Sequence, residues 1–245
     1  MILKADYHVL IAAAGQGTRS GLSYPKTLYP LQGKPIIIHL LDLFSFIESK
    51  PSIIVSPSGK EKILACIQEH SHSADLIVQE HARGMGDAVL HFKESPSFSS
   101  ASNIILVWGD IPFIQMDTLA QMLASHEANN NDFTFPTRFV DSAYTVVHRN
   151  QEDKIIEVLE TKERGINKPK YGERDMGLFV FKKDKIFSQL EAESPSKIGK
   201  LSGEHGFLYV IKELILQGAQ IESLPIATEK DLISLNHLED VQSYA

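Results

Sequence analysis

The sequence predicts an α/β fold: a mostly parallel, mixed sheet with helices on both faces, arranged in three layers. Three observations carry this. In the first half of the chain, short β-type runs alternate with longer helical patterns, and strands separated by helical crossovers imply parallel pairing. The two most polar loops, after Ala13 and after Trp108, fall at strand carboxyl ends, where open α/β sheets bind ligands close to the point of strand-order reversal. In the second half, strand-like runs follow one another through short turns, which calls for a mixed-sheet annex.

Taken in order, Val9–Ala13 reads as a buried strand, followed by a polar, Gly-containing loop from Gly15 to Tyr24. Pro35 opens an amphipathic helix to about Glu48, since a missing N–H costs least at a helix start. Ser52–Ser56 is a strand, Lys60–His70 a helix, Asp75–Val78 a strand, and Gly86–Lys93 the start of another helix. Asn103–Trp108 is a strand ending in Gly109-Asp110. Strands follow at Phe133–Val140, Tyr144–His148, Ile155–Leu159 and Met176–Phe181. Between the last two, Lys162–Arg174 is rich in Lys, Arg, Gly and Pro and reads as a mobile loop. Helices resume at Asp184–Leu190 and Phe207–Gln217, with a strand at Ile221–Pro225. No linker, repeat or low-complexity tract is long enough to divide the chain, so a single domain over residues 1–245 is expected.

The balance of 24 Lys and Arg against 31 Asp and Glu gives a formal charge of −7. That disfavours a nucleic-acid surface, which needs many cations to displace counterions. It leaves room for a small phosphate site, where a few cations and a metal ion act locally. Cys66 is the only cysteine, as in a reducing compartment. The apolar run Tyr7–Ala14 is too short to span a bilayer, and Asp6 sits where a secretory signal wants positive charge. A soluble, cytoplasmic protein without membrane partners is expected. The ten histidines show no metal-ligand spacing, and with one cysteine a structural zinc site is not expected.

The strongest local signal is Ala12-Ala13-Ala14-Gly15-Gln16-Gly17-Thr18-Arg19, followed by Pro25-Lys26. Small residues after a buried strand let a phosphate chain approach backbone N–H groups. Arg19 and Lys26 add charge, one as a fork and one as a point charge. A plain glycine-rich turn with solvated cations is the alternative. A dinucleotide fingerprint would need glycine near Ser20, and a Walker loop would need Gly-Lys-Ser/Thr; neither is present.

Together with Tyr24-Pro25-Lys26-Thr27-Leu28-Tyr29-Pro30-Leu31-Gln32-Gly33-Lys34-Pro35, this segment resembles the opening of sugar-phosphate nucleotidyltransferases. The likeness is to the uridylyltransferase domain of the bifunctional N-acetylglucosamine-1-phosphate uridylyltransferases in particular. The resemblance implies a Rossmann-like, three-layer nucleotidyltransferase fold of the glycosyltransferase-A type. It further implies that Ala12, Ala13, Ala14, Gly15 and Gly17 line the nucleotide and that Arg19 and Lys26 act on phosphates. Gln79-Glu80-His81-Ala82-Arg83-Gly84-Met85-Gly86-Asp87-Ala88 resembles the family's base-recognition segment, making Gln79, Gly84 and Met85 base contacts. Met85 departs from the family's Thr. Trp108-Gly109-Asp110-Ile111-Pro112 is similar to the family's Tyr-Gly-Asp-Val-Pro, with Gly109 beside the nucleotide and Asp110 on Mg2+. A lone Asp after a strand is otherwise usually a helix N-cap.

For the second substrate, a sugar phosphate, the resemblance brings Glu160, Thr145 (family Gly) and Asp175 (family Asn). The family's Gly-Glu-Tyr-Tyr is met only by Gly203-Glu204-His205-Gly206, so an altered pocket is expected. Asn236 aligns with the Asn that completes the metal site, against the alternative that it caps a final helix over Leu238–Tyr244. The resemblance runs from Val9 to about Val241 and does not take in the family's hexapeptide-repeat acetyltransferase module; neither acetyl transfer nor that module's trimer is expected.

The implied reaction is Mg2+-dependent transfer of a nucleotidyl group, from UTP by the family pattern, to a sugar 1-phosphate with release of pyrophosphate. Two alternatives stay open. One is a cytidylyltransferase acting on a polyol or amino-alcohol phosphate, whose loop is also Gly-x-Gly-x-Arg followed by Pro-Lys. The other is a non-catalytic, nucleotide-binding regulatory protein, suggested by the substitutions at Met85, Thr145 and Asp175.

Overall fold

Strand β1 (Tyr7–Ala13) is apolar on both sides because both sides are covered. Val9, Ile11 and Ala13 enter one core, while Leu10 and Ala14 enter the other, the period-2 alternation of a central strand. The computed structural model describes residues 6–15 and 20–244. Two short strands, β2 (Pro30–Leu31) and β3 (Lys34–Pro35), form a ribbon turned at Gln32 and Gly33, both at positive φ, as a tight hairpin turn requires. Helix α1 (Ile36–Phe44) follows Pro35 directly. The chain then runs through β4 (Ser52–Val55), α2 (Lys60–Glu69), β5 (Asp75–Val78), α3 (Met85–Leu90), β6 (Asn103–Trp108) and α4 (Met116–Ala128). These are the predicted crossovers, with two differences. The helix expected to continue to Lys93 tightens into a 3-10 turn at His91–Glu94. Helix α4 was not foreseen, although Leu119, Met122 and Leu123 bury one face of it at helical spacing.

The second half supplies β7 (Phe133–Asp141), β8 (Thr145–Arg149), β9 (Ile155–Glu160), α5 (Thr161–Arg164), β10 (Tyr171–Asp175), β11 (Leu178–Lys182), α6 (Lys183–Glu191), α7 (Tyr209–Leu216) and β12 (Ile221–Leu224). The stretch read as a mobile loop, Lys162–Arg174, is therefore corrected. Its start continues α5, and its end forms β10, paired antiparallel with β7 from Tyr171↔Asp141 to Asp175↔Thr137. Cross-strand pairing overrides a polar, Gly- and Pro-bearing composition here.

The main sheet has eight strands in the order β10-β7-β11-β6-β1-β4-β5, with β12 also on β7. β6, β1, β4 and β5 are parallel; β11 is antiparallel to β6 and β7, and β12 is parallel to β7. Helices α1, α2 and α4 pack on one face, and α3, α6 and α7 on the other. This is the expected three-layer, mostly parallel mixed sheet of Rossmann-like form. The chain leaves β1 towards β4 on one side and later returns to β6 on the other, so strand order reverses between β1 and β6.

Register aligns the carboxyl ends, with Ala13 opposite Val55, Ala12 opposite Trp108 and Val55 opposite Val78. β11 starts at that same edge, because Leu178 pairs with Val107 and the Trp108 N–H donates to the Gly177 carbonyl at 3.0 Å. The ribbon β8–β9 is a separate two-stranded sheet, anchored by a part-buried ion pair. Arg149 Nε and Nη2 donate to Glu173 on β10 at 3.0 and 3.1 Å, and Thr137 and Ser223 donate to the same carboxylate. Burial pushes the Glu173 carboxyl up, but Arg149 and the two hydroxyls outweigh it and hold it below the usual range. Among the described residues, no helix is long and apolar enough to cross a membrane.

Candidate active site

At the reversal between β1 and β6, the Gly109 N–H donates to the Ala12 carbonyl at 2.9 Å. A β-carbon on Gly109 would lie 2.9 Å from Ala13 Cβ, so only glycine lets the two strand ends close this far. Asp110 follows immediately. Across the gap, Lys26 opens a single 3-10 turn, Lys26–Leu28, whose next residue, Thr27, is fully buried. Lys26 Nζ donates to Asp110 Oδ2 and forms an ion pair with it, while the chain at Gly15 borders the Lys26 side chain. The structure thus brings together Ala12, Ala13, Ala14, Gly15, Gly109, Lys26 and Asp110. Gly17 and Arg19 lie outside the described residues.

The second oxygen of Asp110, Oδ1, is buried and has no hydrogen-bond partner among the described residues. A buried carboxylate oxygen left without a donor is costly and suits a cation that also carries phosphate oxygens. The Leu235 N–H donates to the Asp110 carbonyl at 2.9 Å and Leu235 is fully buried, so Asn236 is the next residue along from that contact. Asp231, itself fully buried, holds this segment by accepting from Gln115 N and Thr118 Oγ1 at the start of α4 and from Thr228. The Asn236 amide donates to Ser234 Oγ at 2.8 Å, which leaves its oxygen as the acceptor face. The capping alternative for Asn236 is corrected. Asp240 accepts from the backbone N–H groups of Asn236 and His237, and the end of the chain makes short 3-10 turns rather than one helix. Among the described residues there is no cluster of three or more His, Cys, Asp or Glu fit to hold a metal. One carboxylate plus one amide is the smaller donor set that a phosphate-bound Mg2+ needs.

At the end of β5, the Gln79 N–H continues the ladder to the Val55 carbonyl at 2.9 Å. Its buried side chain turns back, with Nε2 donating to the Gly84 carbonyl at 3.2 Å and to Asp87 Oδ2 at 2.8 Å. Gly84, at φ +108°, opens α3. The segment Glu204–Gly206 presses against it: the His205 N–H donates to the Arg83 carbonyl at 2.7 Å, and the Gly86 N–H to the His205 carbonyl at 2.9 Å. Met85, half-buried, packs against the core beneath α3. Glu163 on α5 accepts from Leu201 N and Ser202 N, tying the same loop to the end of β9.

The three residues expected at the second substrate converge. Thr145 lies directly opposite Glu160 in the β8–β9 ladder, and its hydroxyl donates to Asp175 Oδ1 at 2.5 Å. The Gly177 N–H donates to Asp175 Oδ2 at 2.9 Å, next to the link between Gly177 and Trp108. Burial raises the Asp175 carboxyl against the hydrogen bond from Thr145, the charge of Arg174 and the Gly177 N–H. Burial, then the charges of Asp175, Glu163 and Glu204, push Glu160 up to about 7. Among the described residues neither carboxylate has an ion pair.

Four groups in this region gain a role only from the structure. Tyr144 sits among Asp175, Asp110 and Glu160, and its hydroxyl is pushed up to about 12, chiefly by burial and then by Asp175. Arg174 covers its ring at 4.3 Å and donates to its hydroxyl at 3.1 Å. Asp87 orients Gln79 from one turn into α3, and the Trp108 indole N–H is buried without a partner among the described residues. Tyr144 and Arg174 are 30 positions apart, so only the fold shows the pair.

A family model described as the MobA-like NTP transferase domain matches residues 9–169, more than half of the chain. Among curated proteins, the bifunctional protein GlmU of Buchnera aphidicola subsp. Schizaphis graminum is 27% identical over 239 residues, covering 96% of this chain and 50% of that protein. The bifunctional protein GlmU of an Exiguobacterium species is 30% identical over 184 residues, covering 74% of this chain and 40% of that protein. The chain thus spans about half the length of the curated relatives it matches. Among solved structures, a provisionally named glucose-1-phosphate thymidylyltransferase from Bacillus anthracis, in complex with sucrose, superposes with a TM-score of 0.70 at 20% identity. It covers 89% of this chain and 87% of its own.

Proposed function

We propose, on the premise that this chain belongs to the MobA-like NTP transferase family, that it transfers a nucleotidyl group from a nucleoside triphosphate to a sugar 1-phosphate, in the manner of an NDP-sugar pyrophosphorylase. The observation that carries the reading is the Lys26–Asp110 pair at the strand-order reversal, with Asp110 Oδ1 buried and without a partner among the described residues. A phosphate oxygen of the second substrate forms a bond to the α-phosphorus. The bond from that phosphorus to the β-phosphate oxygen breaks, and pyrophosphate leaves with the electron pair. The attacking oxygen is already anionic near neutral pH, so positioning and charge stabilisation do the work.

Lys26, released from Asp110, holds the α-phosphate or the incoming phosphate, and Arg19 steadies the pyrophosphate. Asp110, with Asn236, would hold Mg2+, which when bound supplies charge neutralisation at the phosphates. Gln79, Gly84 and Met85 belong to the base subsite; UTP, which the resemblance brings, and CTP are its two pyrimidine candidates. The whole of residues 1–245 is one nucleotidyltransferase unit in this reading, acting in the cytoplasm without nucleic-acid or membrane partners.

A second reading, transfer to a polyol or amino-alcohol phosphate, is favoured by one observation. Glu160 is a partly buried carboxylate raised by burial and then by Asp175, with no ion-pair partner among the described residues, and the cationic amine of an amino-alcohol phosphate would neutralise it. Pyrophosphate release with Mg2+, crossing nucleoside triphosphates against sugar 1-phosphates and polyol or amino-alcohol phosphates, tests both. A productive pair names the substrates. Silence across the panel from folded protein overturns the catalytic reading.

A further inference from the structure

The edge of the sheet opposite the reacting groups holds a cavity of about 240 Å3. Tyr7 and Asn103, at the starts of β1 and β6, form one side of it. The end of α4 with the two asparagines after it, and Lys182 at the end of β11, form the rest. At about 30 Å3 per water there is room for about eight waters, the scale of one monosaccharide. β6 runs from Asn103 to Trp108, about 17 Å at the rise of a strand, so an occupant stays clear of Asp110.

Neither basic group of the wall is left to hold an anion. Lys182 Nζ has three protons and gives them to the Asn130 carbonyl, Asn130 Oδ1 and Asp132 Oδ1, each at 3.0 Å. His126 is uncharged near neutral pH, because burial and then the charge of Lys182 lower it to about 4. Its tautomer is set by Thr134, whose hydroxyl accepts from Asn131 Nδ2 at 3.0 Å and meets His126 Nδ1 at 2.9 Å. Among the described residues Nδ1 is the acceptor within reach of that hydroxyl proton, so the ring carries its own proton on Nε2. Nε2 is buried and has no partner among the described residues: an orphaned donor beside the cavity, whose desolvation a ligand oxygen would offset.

The other open groups are uncharged and of both kinds. Asn130 Nδ2 donates, since Oδ1 is turned to Lys182. Asn131 Oδ1 accepts, since both Nδ2 protons go to Thr134 and Glu222. The Tyr7 oxygen also accepts, its proton being given to Glu127 at 3.2 Å. A hydroxyl both donates and accepts, so several hydroxyls on one small frame match this wall, whereas a phosphate or carboxylate meets no available cation. We propose that the cavity is a second binding site, for a neutral polyhydroxyl molecule such as a free sugar or a cyclitol, separate from the reacting edge. It stands whether or not the nucleotidyltransferase reading does.

Amide chemical shifts of the nitrogen-labelled full chain, titrated separately with D-glucose, myo-inositol, inorganic phosphate and putrescine, test this. Glucose or inositol should move the amides of Asn103, His126, Asn130 and Lys182 and saturate with a dissociation constant of about 1–10 mM. Shifts confined to Ala13, Gly109 and their neighbours, or no shifts, would overturn the proposal. So would phosphate or putrescine moving the cavity amides at lower concentration than either polyol. Asn130→Asp keeps an oxygen for Lys182 and tolerates the positive φ of this position, but it removes the amide protons. In that variant, checked for an unchanged melting temperature, polyol affinity should fall about tenfold; an unchanged affinity would refute the assigned wall.

Discussion

Glu160 offers a test in which the sign is as informative as the size. Its carboxyl is displaced from an ordinary 4.5 to about 7 by burial and by Asp175, Glu163 and Glu204. Below pH 4.5 it is protonated folded or unfolded, and the fold carries no charge there. Between 4.5 and 7 the unfolded chain releases the proton first, so stability falls as pH rises, and the loss is complete above 7. At about 1.4 kcal/mol per pH unit the full displacement corresponds to about 3 kcal/mol. Solvent at the exposed edge of this half-buried group reduces that to about 2 kcal/mol. For a chain of this size about 2 kcal/mol moves the melting temperature by about 4–8 °C.

Glu160→Gln keeps the shape and removes the titration. Melting curves of wild type and variant should nearly coincide at pH 5 and separate towards pH 8, with the variant melting about 4–8 °C higher. Asp175, also raised by burial, leaves the variant a decline in the same direction. A gap that does not widen between pH 5 and 8, or a wild type that melts higher at pH 8, would refute the idea that Glu160 is held against neighbouring carboxylates.

Lys26→Ala and Asp110→Ala should each lower turnover by about 10²–10³ while far-ultraviolet dichroism stays that of the wild type; wild-type turnover in either folded variant would contradict the assigned site. Gly86→Ala would put a β-carbon 2.2 Å from the Gly206 carbonyl oxygen, forcing segment 204–206 off α3. It should cost about 1–3 kcal/mol in urea unfolding and weaken nucleotide binding, and a variant with neither effect would show that this loop contact is dispensable.

What could be read from the sequence alone is what lies close together along the chain. The run Ala12–Lys26, the segment Gln79–Ala88 and the turn Trp108–Pro112 each carry their chemistry within a few residues, so the residue types and spacings suffice. The parallel half of the sheet was legible for the same reason, because each crossover is a local alternation of strand and helix periods, and Asp75–Val78 and Asn103–Trp108 appear with the expected bounds. Where local composition and tertiary pairing disagree, pairing wins. Tyr171–Asp175 looks like loop and becomes a strand because β7 offers it an edge.

Other features were decided by tertiary structure. Lys26 meets Asp110 across 84 positions, and Thr145 meets Asp175 across 30, because register brings the ends of β1, β6, β10 and β11 to one edge of the sheet. Whether Gln79 offers a donor or an acceptor depends on a carboxylate eight positions away that only the turn into α3 swings beneath it. Residue types and local spacing determined which groups this chain possesses. Burial and long-range contact decided their protonation, their partners and the face each has left to offer.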